Sequence, residues 1–248
     1  MNTDPTVQFG REAEKYLTSA VHADSAALNE LVALVNPNGG IVLDIGTGAG
    51  HMAFAMSRSV DEVVASDPTP QMLEVTAKAA REKGLTNIKT QLAYAEDLPF
   101  GDQHFDGVMS RVAAHHFKDR EMFLDEVDRV LKPGGWILLV DTVSMDDKAA
   151  AEELNTIEAI RDPSHGWNMT VTEWTDAVVR RGMTVESVTS RFKVLETQEW
   201  MDRMSVSEAD QSELKTRLSQ STGALREYLQ PTETTFRLQE MSLFAKKP

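Results

Sequence analysis

The stretch Ile41-Val-Leu-Asp-Ile-Gly-Thr-Gly-Ala-Gly50 constrains this 248-residue chain more than any other. A short apolar run ends in Asp44, and glycines follow at the alternate positions 46, 48 and 50. The run has the length of a buried strand, and His51-Met-Ala-Phe-Ala-Met56 reads as the first turns of a helix. Glycines at such a junction let the backbone turn tightly and approach a ligand where a Cβ would clash. A dinucleotide loop needs the spacing G-x-G-x-x-G, so that a pyrophosphate can rest on the helix N-terminus. Here the spacing is G-x-G-x-G with an acid two residues before it. That suits a nucleoside carrying a short zwitterionic tail.

The rest of the first half supplies partners for that loop. Glu62-Val-Val-Ala-Ser66 reads as a second strand with Asp67 at its C-terminal end. An acid there accepts hydrogen bonds from both ribose hydroxyls, although Asp67-Pro68 is also a plain turn former. Thr69 and Pro70 read as N-cap and N1 of a helix running to Lys83, with Gly84 as its C-cap. Strand-like runs at 41–44, 62–66, 88–92, 105–109 and 136–141 alternate with helical stretches, which predicts a doubly wound α/β domain on a parallel sheet. Before the fifth strand, Phe123, Leu124, Val127, Val130 and Leu131 form one apolar helical stripe, and Pro133-Gly-Gly135 stops it.

Five segments then follow in order: Asp44-Ile-Gly-Thr-Gly-Ala-Gly50, Asp67-Pro-Thr-Pro-Gln-Met-Leu73, Ala95-Glu-Asp-Leu-Pro-Phe100, Phe105-Asp-Gly-Val-Met109 and Arg129-Val-Leu-Lys-Pro-Gly-Gly135. Together they resemble the successive motifs of the class I S-adenosylmethionine-dependent methyltransferases, and most closely the small-molecule branch that includes the ubiquinone- and menaquinone-biosynthesis C-methyltransferases. The resemblance covers residues 41–141 and fades on either side. It implies a Rossmann-like, seven-stranded, mostly parallel sheet with an antiparallel C-terminal edge strand, helices on both faces, and helical lid segments. A single methyltransferase domain over 1–248 is expected, with lid helices in 1–36, a cofactor-binding core in 37–141, and a substrate cap with the last two strands in 142–248. Thr172 is the expected cap of a helix ending at Gly182.

By the same resemblance, S-adenosylmethionine is the cofactor. Its contacts fall on Asp44, Gly46, Thr47 and Gly48 in the glycine loop, on Asp67, Pro68 and Met72 after the second strand, and on Ala95 and Glu96 at the adenine. Ser110 and Arg111 lie where the methionine tail passes. In relatives N-terminal helices close over the cofactor, which brings Tyr16 toward its carboxylate; amphipathic packing is the competing account of Tyr16. After the fourth strand come His115 and His116. Adjacent side chains diverge on a helix, so at most one faces the methyl group as a general base, and packing or local hydrogen bonding is the alternative for both. Transfer from a sulfonium also needs little acid–base help, because alignment supplies much of the acceleration.

Composition narrows the chemistry further. The chain has no cysteine, so disulfides, thiolate metal sites and cysteine nucleophiles are excluded, and no arrangement of acids suggests a metal. A net charge of −14 with scattered Lys and Arg argues against nucleic acid. Apolar runs are strand-length, too short to span a membrane, and the N-terminus lacks the pattern of a signal peptide, so a cytoplasmic location is expected. A small-molecule substrate is expected, with the protein a monomer or homodimer. Two rivals remain: a protein that binds the nucleoside without catalysis, and another nucleoside chemistry on this fold. The G-x-G-x-G spacing disfavours a nicotinamide.

Overall fold

The structure is a computed structural model that describes Thr6 and residues 25–248. Tyr16 and most of the expected N-terminal lid lie outside the described residues.

Strand β1 (Ile41–Ile45) is buried from its second residue onward, and its side chains alternate between two cores. Leu43 and Ile45 join Val108, Phe123, Val127 and Trp174 on one face; Val42 joins Leu28, Met52, Met56 and Met109 on the other. A strand buried on both faces needs helices above and below it. They are supplied by α1 (Ser25–Val35) and α2 (His51–Met56) on one side, with α4 (Arg120–Val130) and α6 (Val171–Arg180) on the other. The helix α3 (Pro70–Glu82) has Thr69 as N-cap and Pro70 at N1, and Gly84 just beyond its C-cap takes φ +69°.

Beside β1 run β2 (Glu62–Asp67) and then β3 (Ile88–Leu92) on one side, with β4 (Phe105–Arg111) and β5 (Leu131–Val143) on the other, all parallel. The sheet order is β3-β2-β1-β4-β5-β7-β6, where β6 is Thr184–Glu196 and β7 is Thr235–Lys246. Among the described strands, β7 alone points opposite to the other six. It lies inside the sheet and β6 takes the edge. The reason is side-chain chemistry: β7 buries Phe236, Met241, Leu243 and Ala245, whereas β6 carries Arg191, Lys193 and Glu186 on a largely exposed strand. Charge on an edge strand discourages further pairing.

Two local expectations are corrected. The helix before the fifth strand ends at Val130, and Leu131 pairs with Phe105 as the first residue of β5, so Pro133-Gly-Gly135 sits within an irregular start to that strand. Helix α6 is capped by Thr170, not Thr172. The Thr170 hydroxyl accepts from the Glu173 N–H at 3.0 Å while the Glu173 carboxylate accepts from the Thr170 N–H at 2.8 Å. This reciprocal box needs an acid three residues after the cap, and Thr172 has Thr175 there.

A third apolar cluster lies over the β7 half of the sheet. Leu154 and Ile157 of α5 (Lys148–Arg161), Trp200 of α7 (Thr197–Asp202), Leu214 and Leu218 of α8 (Glu208–Gln220), and Leu229 of α9 (Gly223–Leu229) pack there on Phe236. Among the described residues no helix is long and apolar enough to cross a membrane.

Strand order reverses direction between β1 and β4, since the chain builds outward to β3 and then returns. The loops leaving the C-terminal ends of these two strands diverge to opposite faces, and the crevice between them is where ligands bind in open α/β sheets.

Candidate active site

The loop after β1 opens onto a cavity at that crevice. Asp44, Gly46, Thr47, Gly48, Asp67, Pro68, Met72, Ala95, Glu96 and Arg111 all line it, so nearly the whole cofactor set expected from sequence converges there. Gly46 and Gly48 both take left-handed backbone conformations, φ +68° and +54°, yet they serve different ends. A Cβ on Gly46 would lie 2.6 Å from the Cβ of Ala113, so this glycine lets the loops after β1 and β4 touch. A Cβ on Gly48 would meet nothing within 4 Å, which leaves that stretch of backbone bare toward the cavity.

Three side chains hold the loop. Thr47 Oγ1 donates to Asp44 Oδ2 at 2.6 Å. The Gly48 N–H donates to Asp67 Oδ2 at 3.0 Å, and the Thr69 N–H donates to Asp67 Oδ1 at 2.9 Å. Thr76 of α3, not singled out from sequence, donates to the Gly48 carbonyl at 2.8 Å. Asp67 is only 7% exposed, and burial pushes its carboxyl up although these N–H donors oppose it. Each of its oxygens keeps a lone pair for a further donor. Burial likewise raises Asp44 to about 7, with the Thr47 hydrogen bond and the Arg111 charge pulling the other way.

Glu96 does more than line the cavity. Its Oε1 accepts from the Lys118 and Asp119 N–H groups at 2.7 and 3.2 Å, tying the loop after β3 to the loop after β4. Ser110 is displaced from its expected role: it is 1% exposed, lies behind the cavity wall, and donates to the Ile45 carbonyl at 2.9 Å. Beyond it, Val112 takes φ +53°, an unusual conformation for a β-branched residue, and its N–H donates to the Val140 carbonyl at 2.7 Å. Nothing in the sequence marks this position.

A second cavity adjoins the first, and Arg111, Val112 and His116 line both. His115 lines the second only. The two histidines sit on a single 3-10 turn (Ala114–His116) with ring centroids 4.1 Å apart. Buried Asp141, at the C-terminal side of β5, clamps His115: one oxygen accepts from its backbone N–H at 2.9 Å and the other lies 2.6 Å from Nδ1. A carboxylate partner makes Nδ1 the donor and leaves Nε2 to accept. Burial pulls the His115 pKa down, but the Asp141 charge and hydrogen bond outweigh it and the net shift is upward.

His116 is placed differently. Its Nδ1 lies 3.1 Å from the Ser164 carbonyl, and Asp162 stands 3.9 Å from Nε2. Burial, then the neighbouring His115 charge, lowers it to about 4. A third histidine, His165, has its ring centroid 5.6 Å from that of His115; burial and both other histidines lower it to about 2. Of the three, only His115 is shifted toward its charged form. His165, Asp141 and Asp162 went unrecognised in the sequence because β5 and the loop that holds Asp162 and His165 both lie far along the chain from His115. Among the described residues no group of three or more His, Asp or Glu is arranged to hold a metal ion.

Residues 43–139 match the family described as Methyltransferase domain. The uncharacterised methyltransferase YcgJ of Bacillus subtilis is 41% identical over 167 residues, which cover 67% of this chain and 66% of that protein. The uncharacterised protein YafE of Escherichia coli is 39% identical over 164 residues, 66% of this chain and 79% of its own. The ubiquinone/menaquinone biosynthesis C-methyltransferase UbiE of Shewanella baltica is 36% identical over 104 residues, 40% of this chain and 41% of UbiE. The crystal structure of B. subtilis YcgJ covers 90% of this chain and 98% of its own with a TM-score of 0.86 and 31% identity. With the crevice at β1/β4 and its motif residues gathered there, the chain belongs to the class I S-adenosylmethionine-dependent methyltransferases.

Proposed function

We propose that this protein transfers a methyl group from S-adenosylmethionine to a small polar acceptor in the second cavity, with His115 receiving the acceptor's proton. The observation that carries this reading is the contiguity of the two cavities at Arg111, Val112 and His116, with the His115–Asp141 pair on the acceptor side.

The first cavity fits the cofactor on its own chemistry. Bare backbone at Gly48 lets a ligand lie against the loop, Asp67 has lone pairs for two ribose hydroxyls, and Asp44 and Arg111 offer an acid and a base to a zwitterionic tail. Pro68 and Met72 supply apolar wall beside Asp67, and Ala95 with Glu96 borders the base. When bound, S-adenosylmethionine supplies an electrophilic methyl group on a sulfonium. His115 donates Nδ1–H to Asp141, which fixes the ring and makes Nε2 the proton acceptor; Asp141 stabilises the imidazolium that results. His116 stays neutral and packs the junction of the two cavities. Residues 37–141 then form the cofactor core, and 142–248 the acceptor cap with the last two strands.

Calorimetry with S-adenosylhomocysteine and with NAD tests the cofactor half: the first binds and the second is inert. Release of S-adenosylhomocysteine during incubation with S-adenosylmethionine and a metabolite extract tests the transfer. Cofactor binding with no such release from any extract would leave a binding protein instead of an enzyme.

A further inference from the structure

Two groups in the wall of the second cavity are held in place but left half-committed. Glu158 of α5 is 7% exposed, and among the described residues its Oε1 is fully enclosed with no hydrogen-bond partner. An unpaired buried carboxylate oxygen is expensive in folding free energy, and native proteins rarely keep one without a use. One turn further along α5, Arg161 is pinned twice: Nε donates to the Trp200 carbonyl at 3.0 Å, and the guanidinium stacks on the Trp200 ring, 4.9 Å from its centroid. Its Nη1 reaches the Glu158 carboxylate only at 3.9 Å, too long for a hydrogen bond. So the pair is close enough to bias charge and too far apart to satisfy either member.

Resting on the methyltransferase reading above, we infer that the second cavity takes a small, water-soluble acceptor carrying both a hydroxyl or amine, which donates to Glu158, and an anionic group, which Arg161 receives. A guanidinium held through Nε presents its Nη donors as a fork matched to a carboxylate. Burial pushes the Glu158 carboxyl up against the pull of Arg161 and His115. His115 lines the same cavity. Leu195, Leu238 and Trp200 give the carbon skeleton an apolar wall. A charged rim of this kind rejects a long apolar acceptor, because its groups would be buried without partners.

The test uses the full chain saturated with S-adenosylhomocysteine, thermal melting and calorimetry, and six probes. They are 3-hydroxybenzoate, benzoate and 3-hydroxybenzyl alcohol, with 4-hydroxybutyrate, butyrate and 1,4-butanediol as aliphatic counterparts. At least one hydroxycarboxylate is expected to bind tenfold or more tightly than both of its truncated partners. Glu158→Gln should keep or raise the melting temperature and erase the preference over the donor-less probe. Arg161→Met should erase the preference over the alcohol. The assignment is overturned if no probe binds while S-adenosylhomocysteine still does, if a neutral prenylated quinol binds more tightly than any probe, or if Glu158→Gln lowers the melting temperature with the order of probes unchanged. Failure to bind S-adenosylhomocysteine would instead remove the methyltransferase reading beneath it.

Discussion

The two cavities share a wall but are built on opposite plans. The first is made largely of backbone: a glycine loop, two strand ends and the start of a helix, with Asp67 and Thr76 stitching them through main-chain atoms. The second is made of side chains from the end of β4, β5, β6, β7, α5, α7 and the 3-10 turn. Backbone recognition depends on spacing, so it survives changes of neighbour and marks the sequence. Side-chain recognition depends on which residues happen to face inward. The lesson is that a common cofactor is read from short motifs, and a particular acceptor is read from packing.

The sharpest way to break this contrast is at the two glycines. Gly48→Val should abolish S-adenosylhomocysteine binding by calorimetry in a protein that still melts cooperatively, since its side chain enters open cavity at the left-handed strain of about 1–2 kcal/mol. Gly46→Val should instead lower the melting temperature markedly, because its Cβ collides with Ala113. If both valine variants fold and bind normally, the loop is not a ligand surface.

Next in size is the acceptor side. His115→Ala should leave cofactor affinity unchanged and reduce release of S-adenosylhomocysteine roughly 100-fold, the scale of general-base catalysis. His116→Ala, removing a neutral packing residue, should lower the melting temperature more than the turnover. Equal turnover in both variants and the parent would leave transfer to alignment alone.

Asp67→Ala tests the cofactor side in turn. Affinity for S-adenosylhomocysteine should fall by about 1.5–3 kcal/mol, the range for hydrogen bonds to a charged acceptor. An undiminished affinity would falsify the ribose assignment. Loss of the Thr76 contact is milder: Thr76→Val should weaken binding by about 1 kcal/mol through a looser loop, with no direct contact removed.

The pH profile separates the two regions most finely. A base works deprotonated, and Asp141 holds the His115 proton to a pH above the ordinary 6.5, so turnover should rise with pH through an ionisation above that value. Asp141→Asn removes the anion and should move the rise to lower pH while lowering the plateau. Cofactor affinity, measured over the same range, should not follow the His115 ionisation. A turnover profile unmoved by Asp141→Asn would detach His115 from the chemistry.

How much of this could be read beforehand differs by element. The parallel strands, the Thr69-Pro70 helix start and the glycine loop that opens onto the cavity were legible, because a strand's length, a cap and a glycine spacing are local signals. Ser110 was misjudged: proximity to the methionine tail in sequence says nothing of which way a strand residue faces, and here it faces Ile45. The interior place of β7 and the edge place of β6 were equally hidden, since pairing partners so distant in sequence leave no local trace.

The sequence by itself determined the fold class and the glycine loop and strand-end acids that gather at the crevice. These follow from alternation, glycine spacing and an acid at each of two strand ends, all short-range properties of the chain. Tertiary structure alone decided that His115 rather than His116 meets Asp141, that His165 completes the cluster, and that Glu158 and Arg161 face one cavity with His115 and His116. Those groups come from β5, α5 and two loops. Their charge states arise from burial and from one another, and neither exists until the chain has closed around them.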